Sequence, residues 1–334
     1  MRLPRQCAAS HDRMRTRDWR LLDSVKPFFS FHTFPLFSRR LPPASLLPRV
    51  WVPANTLRGP MATRRRPGPP GNCAICGTYV PQLSFEHVPP RSAYNKVRLD
   101  EYEWEDMIRH SQQRPLEPLT KVSRSGVRQG GAGWHRTCGG CNNFSGRMYV
   151  PAYADWVRQV FSFNISQTIK TLAVPFRLQP LNILKQVAFM FMVQNDGYGP
   201  GLADGMRRFI LGEHVQDLPS RVRFYAFSYL GRRVKHGGLA ARMTIGQSGG
   251  VMLSEIIMRP LGLLMTVNEG VHREGLTDIT DWRRYRLDEQ VERWLNLTNV
   301  AEIQPITPAD YRTDEQVEKV IRENMEREAE EGSG

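Results

Sequence analysis

The pattern of hydrophobic and polar positions divides residues 151–310 into a helical part and a strand part. The helical part begins with four apolar residues at helical spacing, which are Trp156, Val157, Val160 and Phe161. Residues 183–193 are apolar nearly all round, which is typical of a buried helix. Residues 202–211 predict a third helix. This part of the chain is therefore expected to form a small helical layer.

After residue 220 the apolar period shortens. Short apolar or alternating runs occupy residues 221–230, 240–247, 251–258 and 261–267. Glycine or proline separates these runs, as in the Gly237-Gly238 pair, and this punctuation is typical of strands joined by turns. We expect an antiparallel meander that packs on the helices. The predicted fold class is therefore α+β.

The end of the chain has a different composition. Residues 313–334 are rich in glutamate, with Val317, Val320 and Ile321 on one side, which predicts an acidic helical tail over residues 311–334. The most apolar stretches elsewhere are too short to cross a bilayer, or are interrupted by Arg259 and Pro260. We therefore expect no membrane span and a cytoplasmic location.

Residues 1–72 are rich in arginine and proline and keep neither a helical nor a strand period. This composition predicts a disordered basic arm. Two other interpretations stay open. Translation starts at Met61, directly before the first cysteine pair, or the segment is a mitochondrial transit peptide, since it is rich in arginine and poor in acidic residues.

The net charge of the chain is +13, with a sequence pI of about 9.9. A strongly basic protein suits a strongly negative partner, and nucleic acid is the commonest one. Residues 1–60, however, hold eleven Lys or Arg against three Asp or Glu, so +8 of the +13 lies there. The rest of the chain is only mildly basic. Charge alone therefore favours a nucleic-acid partner weakly.

Four of the five cysteines form two CxxC pairs, Cys73 with Cys76 and Cys138 with Cys141. This spacing is typical of zinc knuckles, in which two thiolates turn inward around one ion. Two such pairs supply all four ligands of a tetrahedral zinc, which leaves no coordination position for substrate. The sequence therefore predicts one structural zinc site, and the alternative is four separate buried or free cysteines.

Glu86 and His87 lie between the two cysteine pairs, and Asn142 directly follows the second pair. This order resembles the HNH, or ββα-metal, endonucleases, particularly the zinc-stapled branch that includes the phage recombination endonucleases. The resemblance covers about residues 73–147. It implies a hairpin that carries the acidic-His pair, followed by a helix that carries the last residue of the motif.

The resemblance implies a division of labour among three residues. His87 is expected to be the general base, while Glu86 and Asn142 are expected to hold a catalytic Mg²⁺ or Mn²⁺. The residue types fit the chemistry, because hydrolysis of a phosphodiester needs a base to activate water and a hard cation to stabilise the departing oxygen. The middle asparagine of the family motif has no clear counterpart, and His135 or Asn95 are the two candidates for its role.

Three arginines near the motif, Arg91, Arg136 and Arg147, are candidate phosphate contacts. The expected organisation is a basic arm (1–72), an HNH-like zinc module (73–150), an α+β domain of unknown role (151–310) and the acidic tail (311–334). The leading prediction is a metal-dependent endonuclease that acts on DNA. The alternative is a non-catalytic zinc-knuckle protein that binds nucleic acid or another protein.

Overall fold

The computed structural model of the chain describes residues 49–53, 67–102, 126–128, 130–163, 171–196, 198–231, 234–242, 251–268 and 276–300. All of these residues belong to one compact unit, Leu47–Gly334. Helices and antiparallel sheet both contribute, so the predicted α+β class is confirmed. Residues 1–48, 54–66 and 301–334 lie outside the described part, and so do most of the predicted arm and the whole acidic tail.

The described residues contain four α-helices and one short 3-10 helix. They are α1 (Gly139–Met148), α2 (Val150–Phe163), α3 (Pro180–Gln194), α4 (Pro200–Leu211) and the 3-10 helix Thr280–Arg284. The three helices predicted from apolar periodicity correspond to α2, α3 and α4. Every residue of α3 is buried, as its apolar sequence predicts, and Pro180 stands in its first turn, where a missing N–H costs little.

Fourteen strands are described. They are β1 (Arg49–Pro53), β2 (Gly71–Asn72), β3 (Tyr79–Val80), β4 (Ser84–His87), β5 (Leu99–Tyr102), β6 (Gly126–Arg128), β7 (Gly133–Thr137), β8 (Thr171–Leu178), β9 (Val222–Tyr229), β10 (Val234–Arg242), β11 (Val251–Met258), β12 (Leu261–Val267), β13 (Thr277–Asp278) and β14 (Val291–Val300).

Ten strands form one sheet, in the order β6-β5-β1-β10-β11-β12-β9-β14-β8, with β13 paired to β9. Strands β10, β11 and β12 form an antiparallel meander, as predicted in part. The first predicted strand, β9, pairs with β12 rather than with β10, and β10 spans Val234–Arg242 rather than residues 240–247. The final strand β14 runs antiparallel to β8 and meets β9 in parallel through Asn299 and Val300. Helix α3 packs against this sheet, where the rings of Phe191 and Phe224 lie 5.7 Å apart between centroids.

The cysteine-containing part has its own small hairpin. Strands β4 and β7 pair antiparallel, and α1 begins two residues after β7 ends. The first CxxC pair lies between β2 and β3, which form a second short hairpin. Between β4 and β7 the chain also contributes β5 and β6 to one edge of the ten-stranded sheet. The strand–strand–helix order that the resemblance implies is therefore present.

The fold differs from the sequence prediction at residues 49–53. This stretch was assigned to the disordered arm, but it forms β1, which pairs with β5 and β10. Its central residues Val50, Trp51 and Val52 are β-branched or aromatic, the types that strands favour. The flanking prolines at 48 and 53 hid this short run among irregular sequence. The predicted domain boundaries themselves stay a prediction.

None of the helices in the described part of the chain is both long and apolar enough to cross a membrane.

Candidate metal centre and active site

The four cysteines of the two CxxC pairs converge on one point. Their sulfur atoms all lie within 4.8 Å of one another, and three of the four residues are buried. Zinc–sulfur distances of about 2.3 Å in a tetrahedron put the sulfurs about 3.8 Å apart. The Sγ atoms of Cys76 and Cys138 are 3.9 Å apart, which fits this geometry. The cluster can therefore hold one zinc ion.

Backbone N–H groups already point at the sulfurs. The amide of Cys138 donates to Sγ of Cys73 (3.2 Å), and the amide of Cys141 donates to Sγ of Cys138 (3.4 Å). Gly77 has φ +74°, which lets its N–H return to the Cys73 carbonyl and close the first knuckle. The two N–H···S bonds stabilise thiolates, the form in which cysteine binds metal.

The protein's own sulfurs distribute charge unevenly. Hydrogen bonds with Cys141 and Cys73 hold the pKa of the Cys76 thiol well below its usual range. Hydrogen bonds with Cys73 and Cys76 raise the pKa of Cys141 in turn. A bound dication would favour the thiolate at all four positions.

Strand β4 carries Glu86 and His87 on opposite faces, as strand alternation requires. His87 shares its face with Phe85, and the two rings meet edge to face at 5.1 Å between centroids. Glu86 lies opposite Trp134 in the β4–β7 ladder and is 6% exposed. The ladder is irregular between Ser84 and Phe85, and the chain bends at Val88 and Pro89.

Two glycines permit close backbone approaches at this hairpin, Gly133 of β7 to β4 and Gly131 to the loop that contains Asn95. A Cβ on Gly133 would come within 2.0 Å of the Glu86 carbonyl oxygen and 2.9 Å of the Phe85 ring. Gly131 has φ +102°, and a Cβ there would lie 2.2 Å from the Asn95 carbonyl oxygen. Neither position has room for a side chain. Glycine is therefore required for this hairpin to hold His87 and Glu86 where they are.

The His87 ring is oriented by the loop that leads into β7. Its Nε2 atom lies 3.0 Å from the carbonyl oxygen of Gly130. A carbonyl oxygen can only accept, so Nε2 carries the hydrogen in this contact, and Nδ1 is the basic nitrogen of the neutral ring. His87 is half-buried. A neutral imidazole with one nitrogen fixed by the backbone has the arrangement that a general base needs.

Glu86 is a buried carboxylate. Burial raises its pKa to about 8. Within the described part of the chain, no hydrogen bond or ion pair engages this carboxylate. A buried acidic group without a partner costs free energy, and a cation is the kind of ligand that offsets this cost.

Asn142 lies on the first turn of α1 and contacts β4. Its Nδ2 donates to Ser84 Oγ (2.6 Å) and to the carbonyl oxygen of Phe85 (3.1 Å). The Phe85 carbonyl fixes the orientation of the amide, because a flipped group would place two acceptors together. Both amide hydrogens are used in this way. The Oδ1 atom is therefore the atom of Asn142 that can bind a cation.

Of the two candidates for the middle motif residue, Asn95 is fully buried and joins the two ends of the hairpin. Its Nδ2 donates to the carbonyl oxygens of Pro89 (2.6 Å) and Ala132 (2.8 Å). Its Oδ1 accepts from the Ala132 amide (2.7 Å). His135 instead stacks edge to face on Phe85, with ring centroids 5.1 Å apart. Asn95 is thus the residue that fixes the loops beside His87.

The three arginines have different surroundings. Arg91, in the loop after β4, and Arg147, in the last turn of α1, are exposed. Arg136 forms an ion pair with Asp196 and donates to the Asn195 carbonyl oxygen (3.2 Å). The guanidinium of Arg136 is therefore held by the protein itself. A phosphate-binding role for the three residues stays a prediction.

No protein-family model, no curated protein and no solved structure matches this chain. The site is therefore interpreted from its own geometry. Sequence reasoning missed Ser84 and Phe85, whose hydroxyl and carbonyl groups position Asn142. A backbone carbonyl leaves no signal in a sequence, and a serine two residues before Glu86 has too many ordinary roles to be singled out.

Proposed function

We propose that this protein is a metal-dependent endonuclease that hydrolyses phosphodiester bonds of DNA, with an active site of the HNH type. The strand–strand–helix unit β4–β7–α1, stapled by four cysteines, supports the proposal. The candidate residues are Glu86 and His87 on β4 and Asn142 on α1. Glu86 and His87 lie on opposite faces of β4, so the proposal requires the bend at Val88 and Pro89 to bring both side chains to one phosphate.

One observation carries the proposal. The Asn142 amide is hydrogen-bonded to Ser84 and to the Phe85 carbonyl, on the same strand as Glu86 and His87. These residues are more than fifty positions apart in the sequence, and the zinc knuckle fixes Cys141 directly before Asn142. The contact joins the helix that carries Asn142 to the strand that carries Glu86 and His87.

In the proposed reaction His87 removes a proton from water. Its Nε2–H donates to the Gly130 carbonyl oxygen, so in the neutral ring Nδ1 is the basic nitrogen. The edge of the Phe85 ring packs on the imidazole and limits its rotation. A base that is already oriented loses little entropy when substrate arrives.

Glu86 and Asn142 are the residues that would hold a divalent cation. One offers a carboxylate without a partner, and the other offers Oδ1 because its amide hydrogens are used on β4. Oxygen ligands of this kind suit Mg²⁺ and Mn²⁺. When bound, such an ion supplies stabilisation of the negative charge that develops on the departing 3′ oxygen.

DNA is proposed as the substrate from the resemblance to the HNH endonucleases, and charge adds weak support. Of the net charge of +13, +8 lies in residues 1–60, while Arg91 and Arg147 are exposed close in sequence to the motif residues. Cations at the rim of a site can track a phosphate backbone and hold the reacting phosphate in place.

A second candidate is a zinc-knuckle protein that binds nucleic acid or a protein partner without catalysis. It is favoured by Glu86, because a carboxyl group with pKa raised to about 8 by burial is mostly protonated at neutral pH. A protonated carboxyl group is a poor cation ligand. The two functions differ in whether binding is accompanied by cleavage.

Nicking of a supercoiled plasmid in Mg²⁺ or Mn²⁺ tests the proposal. The parent protein is compared with His87→Ala and with His214→Ala, which replaces an exposed histidine in the turn after α4. Removal of a general base costs about 10² to 10⁴-fold in rate. We expect His87→Ala to lose cleavage and His214→Ala to keep it, while both retain zinc. Salt-sensitive DNA binding without nicking by the parent would establish the second candidate instead.

A further inference from the structure

Two exposed aromatic rings form a surface patch where the loop after β4 meets α2. Tyr94, in the loop after β4, and Phe161, near the end of α2, are 41% and 43% exposed. Their ring centroids are 4.8 Å apart, with the planes tilted by 33°. Large aromatic residues are usually buried, and a pair that contact each other in solvent needs an explanation.

The backbone holds Tyr94 in an unfavourable conformation. Its φ is +66°, a region that residues with a side chain rarely adopt. The neighbouring bonds fix the turn, since the Ala93 amide donates to the Pro90 carbonyl oxygen and the Lys96 amide to that of Tyr94. Strain of this kind persists only where the surrounding structure imposes it, and it is concentrated at functional sites.

The patch has a cationic border. The Arg259 guanidinium lies over the Phe161 ring, 5.7 Å from its centroid, and is exposed in the turn between β11 and β12. The loop of Tyr94 also contains Arg91 and Lys96, both exposed, and residues 91–98 contain no acidic residue. An aromatic surface with positive charge around it is complementary to a base joined to phosphates.

The same loop leads directly to the candidate active site. Tyr94 precedes Asn95, whose side chain bonds Pro89 and Ala132. Ala132 is next to Gly133, the partner of His87 in the β4–β7 ladder. Tyr94 is therefore anchored through one buried asparagine to the end of the hairpin that carries His87.

We infer that Tyr94 and Phe161 form a stacking platform for an unpaired nucleobase next to the site of cleavage. As a statement about substrate, this rests on the proposed function and makes it more specific. A base can stack on the platform only when it is not paired in a duplex. The substrate class is therefore a nucleic acid with single-stranded or unpaired nucleotides beside the reacting phosphate, rather than uniform duplex.

Binding is measured with the full-length, zinc-loaded protein at one fixed low salt concentration, without added Mg²⁺ so that no cleavage occurs. The probes are a fluorescein-labelled oligothymidylate, the matching oligouridylate and a duplex of the same length. The variants are Tyr94→Ala, Phe161→Ala and Tyr94→Phe. Trp294→Ala is the matched control, because Trp294 is 71% exposed on β14 and does not belong to the patch.

We expect Tyr94→Ala and Phe161→Ala to bind the single strands roughly 5- to 100-fold more weakly, which is the usual effect of removing one stacked ring. Tyr94→Phe and Trp294→Ala are expected to bind like the parent, and duplex binding is expected to change less than about twofold. A loss on either single strand supports the platform. Unchanged single-strand binding, or an equal loss on duplex, overturns it.

Cleavage separates this inference from the proposed function. If the parent does not cut DNA but Tyr94→Ala loses single-strand binding, the platform stands and the nuclease proposal fails. If the parent cuts DNA and Tyr94→Ala binds and cuts like the parent, the nuclease stands and the platform fails. Circular dichroism and zinc content of each variant exclude loss of fold as the cause.

Discussion

Glu86 is a carboxylate in a place that water hardly reaches. It lies on β4 opposite Trp134 and is 6% exposed, and burial raises its pKa from 4.5 to about 8. In the metal-free protein Glu86 is therefore mostly protonated at neutral pH, and in the proposed active form a cation would replace this proton. The residue links pH, metal binding and stability.

The raised pKa predicts a pH dependence of stability. The folded protein keeps the Glu86 proton up to about pH 8, while the unfolded chain releases it near pH 4.5. The stabilisation linked to the Glu86 proton is complete below the pKa of the unfolded chain. It is lost as pH rises toward the pKa of the folded protein. Between pH 6 and pH 8 the free energy of unfolding should fall by about 2 kcal/mol relative to Glu86→Gln. Urea unfolding without added Mg²⁺ measures it.

The Gln variant is the appropriate reference, because cysteines and histidines titrate in the same range and their effects cancel between the two proteins. Parallel pH profiles for the parent and Glu86→Gln would show that Glu86 is ionised or solvated in the folded protein.

At the scale of elements, the contact between β4 and β7 depends on Gly133. A Cβ at this position would lie 2.0 Å from the Glu86 carbonyl oxygen, so Gly133→Ala must push the strands apart. We expect it to lower the free energy of unfolding by about 2 kcal/mol or more. It should also reduce any cleavage, because β4, the strand that would be displaced, carries His87.

Gly146 on α1 is the matched control. A Cβ there has no atom within 4 Å, and alanine is a better helix former than glycine. Gly146→Ala should raise stability by about 0.5 to 1 kcal/mol. Equal effects of the two substitutions in thermal unfolding would contradict the role of the hairpin.

The four-cysteine cluster holds the start of α1. Cys138 caps the helix and Cys141 lies in its first turn, so both ligands of the second knuckle belong to its start. Chelation of zinc should remove the hydrogen-exchange protection of α1 amides, while α3, buried on all sides, keeps its own. X-ray absorption should find four sulfur ligands at about 2.3 Å. Retained protection of α1 after metal removal would make the site dispensable for folding.

Elements with a strong period could be predicted from sequence. Local pattern predicts the buried helix α3 and the strands β11 and β12. The spacing of the two CxxC pairs likewise predicts that the four cysteines come together. Strands β8 and β14 were missed. Strand β8 has Leu172, Phe176 and Leu178 buried on one face, but Pro175 interrupts the run, and proline is unfavourable inside a strand. In β14 four of the ten residues are exposed, with Trp294 facing solvent, which weakens the alternation.

The candidate site was predictable only in part. Glu86, His87 and Asn142 can be chosen from motif order. Their geometry depends on Ser84 Oγ, on the Phe85 and Gly130 carbonyls and on Asn95 across the loop. These contacts join residues far apart in sequence and use backbone atoms, which carry no sequence signal.

At the scale of the whole molecule, side-chain hydrogen bonds from several elements fix the small module to the larger body. Arg207 of α4 donates to the Ala74 carbonyl oxygen in the first knuckle (3.2 Å). His236 of β10 contacts the Val88 carbonyl oxygen after β4 (2.7 Å), and Ser145 of α1 donates to Gln186 of α3 (2.7 Å). The larger sheet and helices thus support the hairpin and α1 from outside, as a rigid scaffold supports a precise site.

Asn142 and Asn143 provide the most direct test of the proposed site. They are adjacent on α1, but Asn142 bonds to β4 whereas Asn143 is exposed. The initial rate of Mg²⁺-dependent plasmid nicking should fall about 100-fold or more in Asn142→Ala. The substitution removes both a proposed cation ligand and the hydrogen bonds from α1 to β4. It should stay within about twofold in Asn143→Ala, with zinc content equal in both. Equal nicking rates in the two variants would contradict an active site built between β4 and α1.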